Sequence, residues 1–120
     1  AKVDEELNLI HSYIPLSDIK NKKINLSELP IFPDFLSRMG DADISLFLVE
    51  QKKEKIKGSI RYSISAEIRS LSKRINLAKL AGKFGGGGHK AASGFKTKGT
   101  IEGVLKKVKN EIREELKKKK

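Results

Sequence analysis

The sequence predicts an α/β fold in which helices pack on a small mixed β-sheet. Three segments carry this prediction: a continuous apolar run at 44–50, an alternating pattern at 56–70, and an amphipathic pattern at 101–116. A short run that is apolar throughout indicates a strand buried on both faces, and strict alternation indicates a strand with one buried face. Apolar residues spaced three and four apart are typical of a helix that buries one side.

Composition limits the classes of protein to which the chain can belong. Its 120 residues suit a single domain, and its 38% apolar and 34% charged residues are typical of a globular protein. The absence of cysteine excludes disulfides and thiolate metal sites. No apolar run is long enough to cross a bilayer, and the first residues do not resemble a signal peptide. We therefore expect a cytoplasmic protein with no membrane partner.

The positive charge is concentrated in the second part of the chain. Residues 1–40 carry 5 Lys or Arg and 6 Asp or Glu, although the whole chain has a net charge of +11. Such a field attracts phosphate esters and nucleic acid. A solvated, Lys-rich surface without a ligand is an equally good interpretation of the charge alone.

The N-terminal 40 residues predict an irregular, partly helical segment. Apolar residues at helical spacing predict a helix over 3–14, and the three prolines lie within 15–33, where only a short strand around 24–26 is expected. A second short helix is expected from Phe35 to Gly40. We therefore divide the chain into this segment, 1–40, and a domain at 41–120.

The central residues predict two strands joined by a turn. The apolar run at 44–50 is followed by the charged stretch 51–55, which we interpret as a hairpin turn. In the alternating stretch, the even-numbered residues from Ile56 to Ile68 are expected to face a core, and the odd-numbered ones solvent or a ligand. The stretch is long for one strand, so a bulge or a break is expected within it.

Two helices and a strand are predicted for the remainder. Asn76 is expected to cap a helix that ends at Gly85, a strand is expected at 91–96, and Thr100 is expected to cap the last helix. The last helix would bury a stripe of apolar residues spaced three and four apart. Its final four lysines suit the negative end of the helix dipole.

Four consecutive glycines at 85–88, followed by His89 and Lys90, form the most distinctive motif. A loop without Cβ atoms can approach a ligand closely, and successive backbone N–H groups can form a concave nest for an anion. Ser93 continues a run of small residues against which a ligand could lie flat. A flexible linker is the alternative. The order helix, glycines, strand differs from that of a P-loop or a dinucleotide-binding turn.

The string LAKLAGKFGGGGHKAASGF at 77–95 resembles the signature of the DHH-associated C-terminal domain. That domain occurs in DHH-family phosphoesterases such as RecJ-type exonucleases, oligoribonucleases and pAp phosphatases, and a related domain occurs in alanyl-tRNA synthetases. The resemblance is strong over 44–116 and weak over 1–40. The family signature ends in Ala-Gly, and here Ser93 lies between Ala92 and Gly94.

The resemblance implies a set of substrate-binding residues. In the family, a strand ending in Arg-Ser precedes the His by about twenty residues, which corresponds to Arg69 and Ser70 here; Arg61, on the same strand parity, is a second candidate. Guanidinium groups pair with phosphate oxygens in a fork. The candidate phosphate-binding residues are Arg61, Arg69, Ser70, Gly86, Gly87, Gly88, His89, Lys90 and Ser93.

The resemblance also implies that catalysis belongs to another domain. The family's divalent metals, manganese or magnesium, are held by aspartates and a D-H-H triplet, and this sequence has no such triplet. We therefore expect no catalytic residue, metal ligand or cofactor within the chain. His11 is expected to be incidental, since it has no evident partners.

The expected function is to bind nucleotides or short single-stranded nucleic acid for a DHH-type phosphoesterase, and the resemblance implies a DHH catalytic domain as its partner, either on the same chain or on another. One alternative is a stand-alone RNA-, DNA- or tRNA-binding module, although a total of only 7 Phe and Tyr argues against extensive base stacking. Another is an interaction module whose last helix exposes Ile101, Val104 and Val108 to a partner.

Overall fold

The computed structural model describes residues 2–19, 35–36 and 38–117. Its centre is a single sheet of six strands in the order β1-β2-β3-β4-β6-β5. The strands are β1 (Lys2–Asp4), β2 (Leu9–Ile14), β3 (Ile44–Ile56), β4 (Ser59–Ser70), β5 (Gly87–Gly88) and β6 (Ala92–Gly99). β2 and β3 run parallel and the other neighbours antiparallel, so the predicted mixed sheet is confirmed.

Two α-helices with fully described bounds pack on one face of the sheet. They are α1 (Leu77–Gly82) and α2 (Ile101–Lys117), and both start at the predicted caps. Asn76 Oδ1 accepts from the Lys79 N–H at 3.2 Å, and Thr100 Oγ1 accepts from the Gly103 N–H at 3.0 Å. These side chains satisfy N–H groups that have no partner within the helix.

The main core lies between these helices and the sheet. It contains Ile64, Ala66 and Ile68 of β4 together with Val104 and Val108 of α2, all at most 3% exposed. Ile101 is only partly buried and packs against the same core. An interaction module that exposes this stripe is therefore the wrong interpretation, because the sheet already covers it.

The opposite face of the sheet is apolar over β2 and β3 only. Ile10, Ile14, Phe47 and Val49 form a second cluster there with Phe35, whose ring centroid lies 4.9 Å from that of Phe47. Over β4 and β6 this face carries polar and charged side chains. The sheet therefore has a covered half and a polar half on this side.

The predicted helix at 3–14 is wrong, because these residues form β1, a turn and β2. Asn8 takes a positive φ of 52° in the turn, and Leu9 and Ile10, adjacent in sequence, are both fully buried on opposite faces of the sheet. The apolar spacing fitted a helix, but pairing of β2 with β3 determined the structure. The predicted strand at 24–26 lies outside the described residues.

The turn predicted at 51–55 is also wrong. β3 continues to Ile56, and the chain reverses at Lys57 and Gly58, whose φ angles of 50° and 82° suit a two-residue hairpin. The break expected within 56–70 is the hairpin turn at 57–58, and β4 itself has no bulge; a bulge lies instead in β3, between Glu50 and Lys52. Ile56 and Ile60, predicted to face the core, are exposed, because the hairpin extends beyond the helices.

Candidate phosphate-binding site

The glycine run begins at the end of α1 and is fixed there by two contacts. Gly85 has a φ of 82°, as predicted for a C-terminal glycine, and the Gly86 N–H donates to the Ala81 carbonyl at 2.9 Å. The ring of Phe84 stacks on Phe95 of β6, with centroids 4.4 Å apart. The glycines are therefore laid against β6 as the short edge strand β5.

Two of the glycines are required by close approach of the backbone to β6. A Cβ on Gly86 would lie 2.5 Å from Phe95 Cβ, and a Cβ on Gly88 would lie 2.8 Å from Ser93 Cα. Gly88 also has a φ of 145°. A Cβ on Gly87, in contrast, would meet nothing within 4 Å. Thus Gly86 and Gly88 serve packing, and Gly87 is open to a ligand.

A tight turn at 89–92 follows the glycines. The His89 N–H donates to the Ala92 carbonyl at 2.8 Å, and the Lys90 carbonyl accepts from the first N–H of α1, that of Leu77, at 2.9 Å. The N–H groups of Gly85, Gly86 and His89 are therefore used within the protein. The prediction of a nest made from successive amides of the whole run is wrong for these three.

Arg69 and the glycine strand line one open cavity of about 240 Å³. In the register of the sheet, Arg69 of β4 lies opposite Ala92 of β6, and Gly87 of β5 lies opposite Gly94 of β6. Paired residues point to the same face of a sheet, so the floor beside Arg69 is made of Ala92, Gly94 and Gly87. A flat ligand can lie directly on this backbone.

The exposed guanidinium of Arg69 is the cation of this cavity. In the described part of the chain it makes no ion pair, so its donors are available to a ligand. Arg69 also borders a second cavity, of about 240 Å³, whose apolar lining includes Phe35, Met39 and Phe47. The structure thus places the Arg69 guanidinium between a glycine floor and an apolar depression.

The two predicted serines are buried and hold the backbone. Ser70 faces away from the cavity, and its hydroxyl donates to the Ser72 carbonyl at 2.7 Å. Ser93 lines the cavity, but its hydroxyl donates to the His89 carbonyl at 2.7 Å. Ser93 thus shapes the loop that the ligand would contact, whereas Ser70 holds the turn that follows β4.

The other predicted residues lie outside the cavity lining. His89 and Lys90 are exposed in the turn beside it. Arg61 lies on the same face of β4 as Arg69 but eight residues away, which at about 3.3 Å per residue is about 26 Å. The structure therefore brings together Arg69, Gly87, Gly88 and Ser93, and leaves Arg61 at the far end of the strand.

Glu67 also lines the cavity and was not among the predicted residues. It lies opposite Gly94 in the sheet, and its side chain is exposed. Its position on the same alternation as Arg69 is a signal that could have identified it. A carboxylate beside the guanidinium accepts hydrogen bonds from hydroxyl or amine groups of a ligand.

The described residues contain no metal-binding cluster. Nowhere in 2–19, 35–36 and 38–117 do three His, Asp or Glu side chains lie close enough to hold an ion. The donor set of these ranges therefore does not fit a divalent-metal centre. None of the helices in the same ranges is long and apolar enough to cross a membrane.

Comparisons with known proteins agree with this architecture. An exopolyphosphatase-related protein from Bacteroides fragilis aligns over 94% of this chain and 31% of its own, with 24% identity and a TM-score of 0.64. A pGpG-specific phosphodiesterase, PggH, from Vibrio cholerae aligns over 95% and 34%, with 20% identity and a TM-score of 0.54. The chain thus spans about a third of the length of each. No curated protein matches it.

The family comparison extends across nearly the whole chain. The model of the DHHA1 domain matches residues 6–118, which include β2 as well as the glycine strand. This match, together with the arrangement of Arg69 and the glycines on one mixed sheet, leads to one conclusion. The chain belongs to the DHHA1 domain family.

Proposed function

We propose that this domain binds the phosphate end of nucleotides or short single-stranded nucleic acid for a DHH-type phosphoesterase. A separate catalytic domain on the same chain would carry the divalent metals. The hydrolytic step would belong to that domain, because the carboxylates and histidines of the described residues do not form a metal cluster.

One observation carries the proposal: Arg69 and the open glycine Gly87 line the same cavity. An edge strand presents backbone N–H and C=O groups that no neighbouring strand uses. A guanidinium supplies a permanent charge and a planar fork of donors that matches two phosphate oxygens. Together they can bind an anion from two sides.

The ligand class follows from the chemistry of the lining. Glu67 would repel a second anionic group but would accept hydrogen bonds from a ribose hydroxyl or a base amine. The small residues Ala92 and Gly94 leave room for a flat group on the sheet. A phosphate joined to a nucleoside uses all of these features, whereas inorganic phosphate uses only the cation and the backbone.

The experiment is a binding titration of a nucleoside 5′-monophosphate and a dinucleotide, with the uncharged nucleoside as the ligand control. Arg69→Ala is expected to weaken binding about tenfold or more, since a hydrogen bond to a charged group contributes about 1.5–3 kcal/mol. Arg69→Lys should bind more tightly than Arg69→Ala but more weakly than the wild type, because lysine keeps the charge and lacks the planar fork of donors. Gly87→Ala should weaken binding by placing a methyl group over the floor.

Two further variants define the site. His89→Ala tests whether the exposed imidazole beside the cavity also contacts the phosphate, in which case affinity falls without loss of folding. Arg74→Ala is the matched control, because Arg74 is an exposed arginine that pairs with Asp43 at 3.1 Å outside the cavity. Wild-type affinity in both Arg69→Ala and Gly87→Ala would overturn the proposal.

A further inference from the structure

A cavity of about 440 Å³ lies between the first turns of α2 and the strands β1 and β2, and it is larger than either cavity beside Arg69. Ile101 and Leu105 line it from the helix, and His11 and Tyr13 line it from β2. Sites that hold small molecules usually measure about 300–1,000 Å³ and combine apolar walls with a few polar groups. This cavity meets both conditions.

The cavity lies on the helix side of the sheet, opposite the phosphate cavity. Asp4 Oδ2 of β1 lies 2.9 Å from Lys109 Nζ of α2, so the side chain of Asp4 points toward the helices. Lys2 and His11 project from the same side, because Lys2 is two residues from Asp4 and pairs with His11. Arg69 projects from the other side, since the alternate residues of β4 are buried under the helices. The two cavities can therefore be occupied at the same time.

Two side chains of opposite charge line this cavity from different elements. Lys2 belongs to β1, and Glu102 belongs to the first turn of α2. Within the described ranges neither side chain makes an ion pair or a hydrogen bond. Glu50 also lines the cavity, but one of its carboxylate oxygens accepts from the Leu16 N–H at 2.9 Å. The charged groups open to a ligand thus include both signs.

His11 adds a half-buried polar group to the same lining. No residue in the described part of the chain donates to or accepts from its ring nitrogens. Burial lowers the pKa of His11 below 6.5, so the imidazole is mostly neutral at pH 7. A neutral imidazole has one donor and one acceptor nitrogen. It can therefore bind an ammonium group or a carboxylate.

We propose that this cavity binds a free α-amino acid with an apolar side chain. The ammonium group of the ligand pairs with Glu102, its carboxylate pairs with Lys2, and His11 hydrogen-bonds to one of the two groups. The apolar side chain of the ligand packs against Tyr13 and Leu105. This site is separate from the proposed function, because it uses other residues on the other face of the sheet.

The lining disfavours the simpler classes of ligand. An anion without a positive group meets the carboxylates of Glu50 and Glu102, and a cation without a negative group meets Lys2. A wholly apolar ligand displaces water from these charged groups and gives them no partner in return. A zwitterion with an apolar side chain satisfies both charges and the apolar walls.

The first test uses L-leucine as the probe, together with two analogues that each lack one charge. N-acetyl-L-leucine has no ammonium group, and L-leucine amide has no carboxylate. Binding to the 120-residue protein is followed at pH 7 by NMR of the backbone amides, which also shows where the probe lies. L-leucine is expected to shift the signals of Tyr13, Ile101 and Leu105. Each analogue should bind about fivefold more weakly, the upper value for an exposed charge pair.

The second test removes the two charges from the protein. Lys2→Gln and Glu102→Gln should each weaken leucine binding, again by about fivefold. Lys107→Gln and Glu114→Gln are the matched controls, because they make the same substitutions at exposed positions of α2 outside the cavity. Both controls should bind leucine as the wild type does.

Four results would overturn the amino-acid site. The first is the absence of any shift at millimolar leucine, and the second is equal affinity for leucine and both analogues. The third is wild-type affinity in both Lys2→Gln and Glu102→Gln. The fourth is a shift of signals around Arg69 and Gly87 that Arg69→Ala abolishes, because the carboxylate then binds in the phosphate cavity. Failure of the proposed function is read separately, from the nucleotide titration.

Discussion

Ser93 and His89 are joined across the turn that follows the glycines, where Ser93 Oγ donates a 2.7 Å hydrogen bond to the His89 carbonyl. The same turn is closed by the His89 N–H, which donates to the Ala92 carbonyl at 2.8 Å. A Cβ on Gly88 would lie 2.9 Å from the Ser93 hydroxyl, so the glycine strand rests on this side chain. Ser93 therefore holds in place the turn and the glycine strand that line the cavity.

Ser93→Ala should lower the free energy of unfolding by about 1 kcal/mol, the usual net value of one hydrogen bond, and should also weaken nucleotide binding. Ser70→Ala is the matched control, since its buried hydroxyl also donates to a carbonyl at 2.7 Å but faces away from the cavity. Urea unfolding and a nucleotide titration measure both effects. Equal loss of binding in the two variants would contradict a local role for Ser93.

Gly86→Ala should destabilise the fold, by about 1–3 kcal/mol, because the new methyl group would overlap Phe95 and the backbone of β6. Gly82→Ala should leave stability unchanged or raise it by up to about 1 kcal/mol, since Gly82 ends α1 with open space at its Cβ position. Thermal unfolding of the two variants checks the difference. A Gly86→Ala protein as stable as the wild type would show that β5 is not packed against β6.

Glu67→Gln should strengthen binding of inorganic phosphate more than binding of a nucleotide. The carboxylate lies in the same cavity as Arg69, so it offsets part of the positive field there. A charge pair about 4 Å apart in water contributes about 1 kcal/mol, which corresponds to several-fold in affinity. Competition between phosphate and a nucleoside monophosphate measures the ratio, with Glu102→Gln on α2 as the control. An unchanged ratio would remove Glu67 from the site.

The sequence predicted correctly those features that depend only on residues close to one another in the chain. Asn76, Gly85 and Thr100 were identified from sequence because a cap or a left-handed glycine acts within a few residues of its own position. The alternation of β4 likewise placed Arg69 and the core residues on opposite faces. Such features are readable because they do not depend on distant parts of the chain.

The features that could not be predicted from the sequence depend on contacts between residues far apart in the chain. β1 and β2 are strands because β2 pairs with β3 more than thirty residues away, and their apolar spacing alone fits a helix. The separate roles of Gly86 and Gly87 depend on where β6 lies, although the residue type is the same. Arg61 shares a strand parity with Arg69, but only the length of β4 shows how far apart they are.

His11 should make the protein less stable as the pH falls from 7 to 5. Burial lowers the pKa of His11 below its reference value of 6.5, and the charge of Lys109 lowers it further, while Asp4 opposes the shift and Lys2 adds to it. The unfolded chain therefore binds a proton more readily than the folded one, and stability is lost as the pH falls below 6.5. Asp4 stays ionised in this window, because its hydrogen bond with Lys109 lowers its own pKa.

His11→Gln should reduce that loss, since glutamine does not titrate. His89→Gln is the matched control, because it makes the same substitution at the other histidine, whose side chain is exposed. Urea unfolding at pH 7, 6 and 5 gives the free energies to compare. If His11→Gln and the wild type lose stability in parallel over this range, His11 in β2 does not titrate with folding, and another group must account for the acid sensitivity.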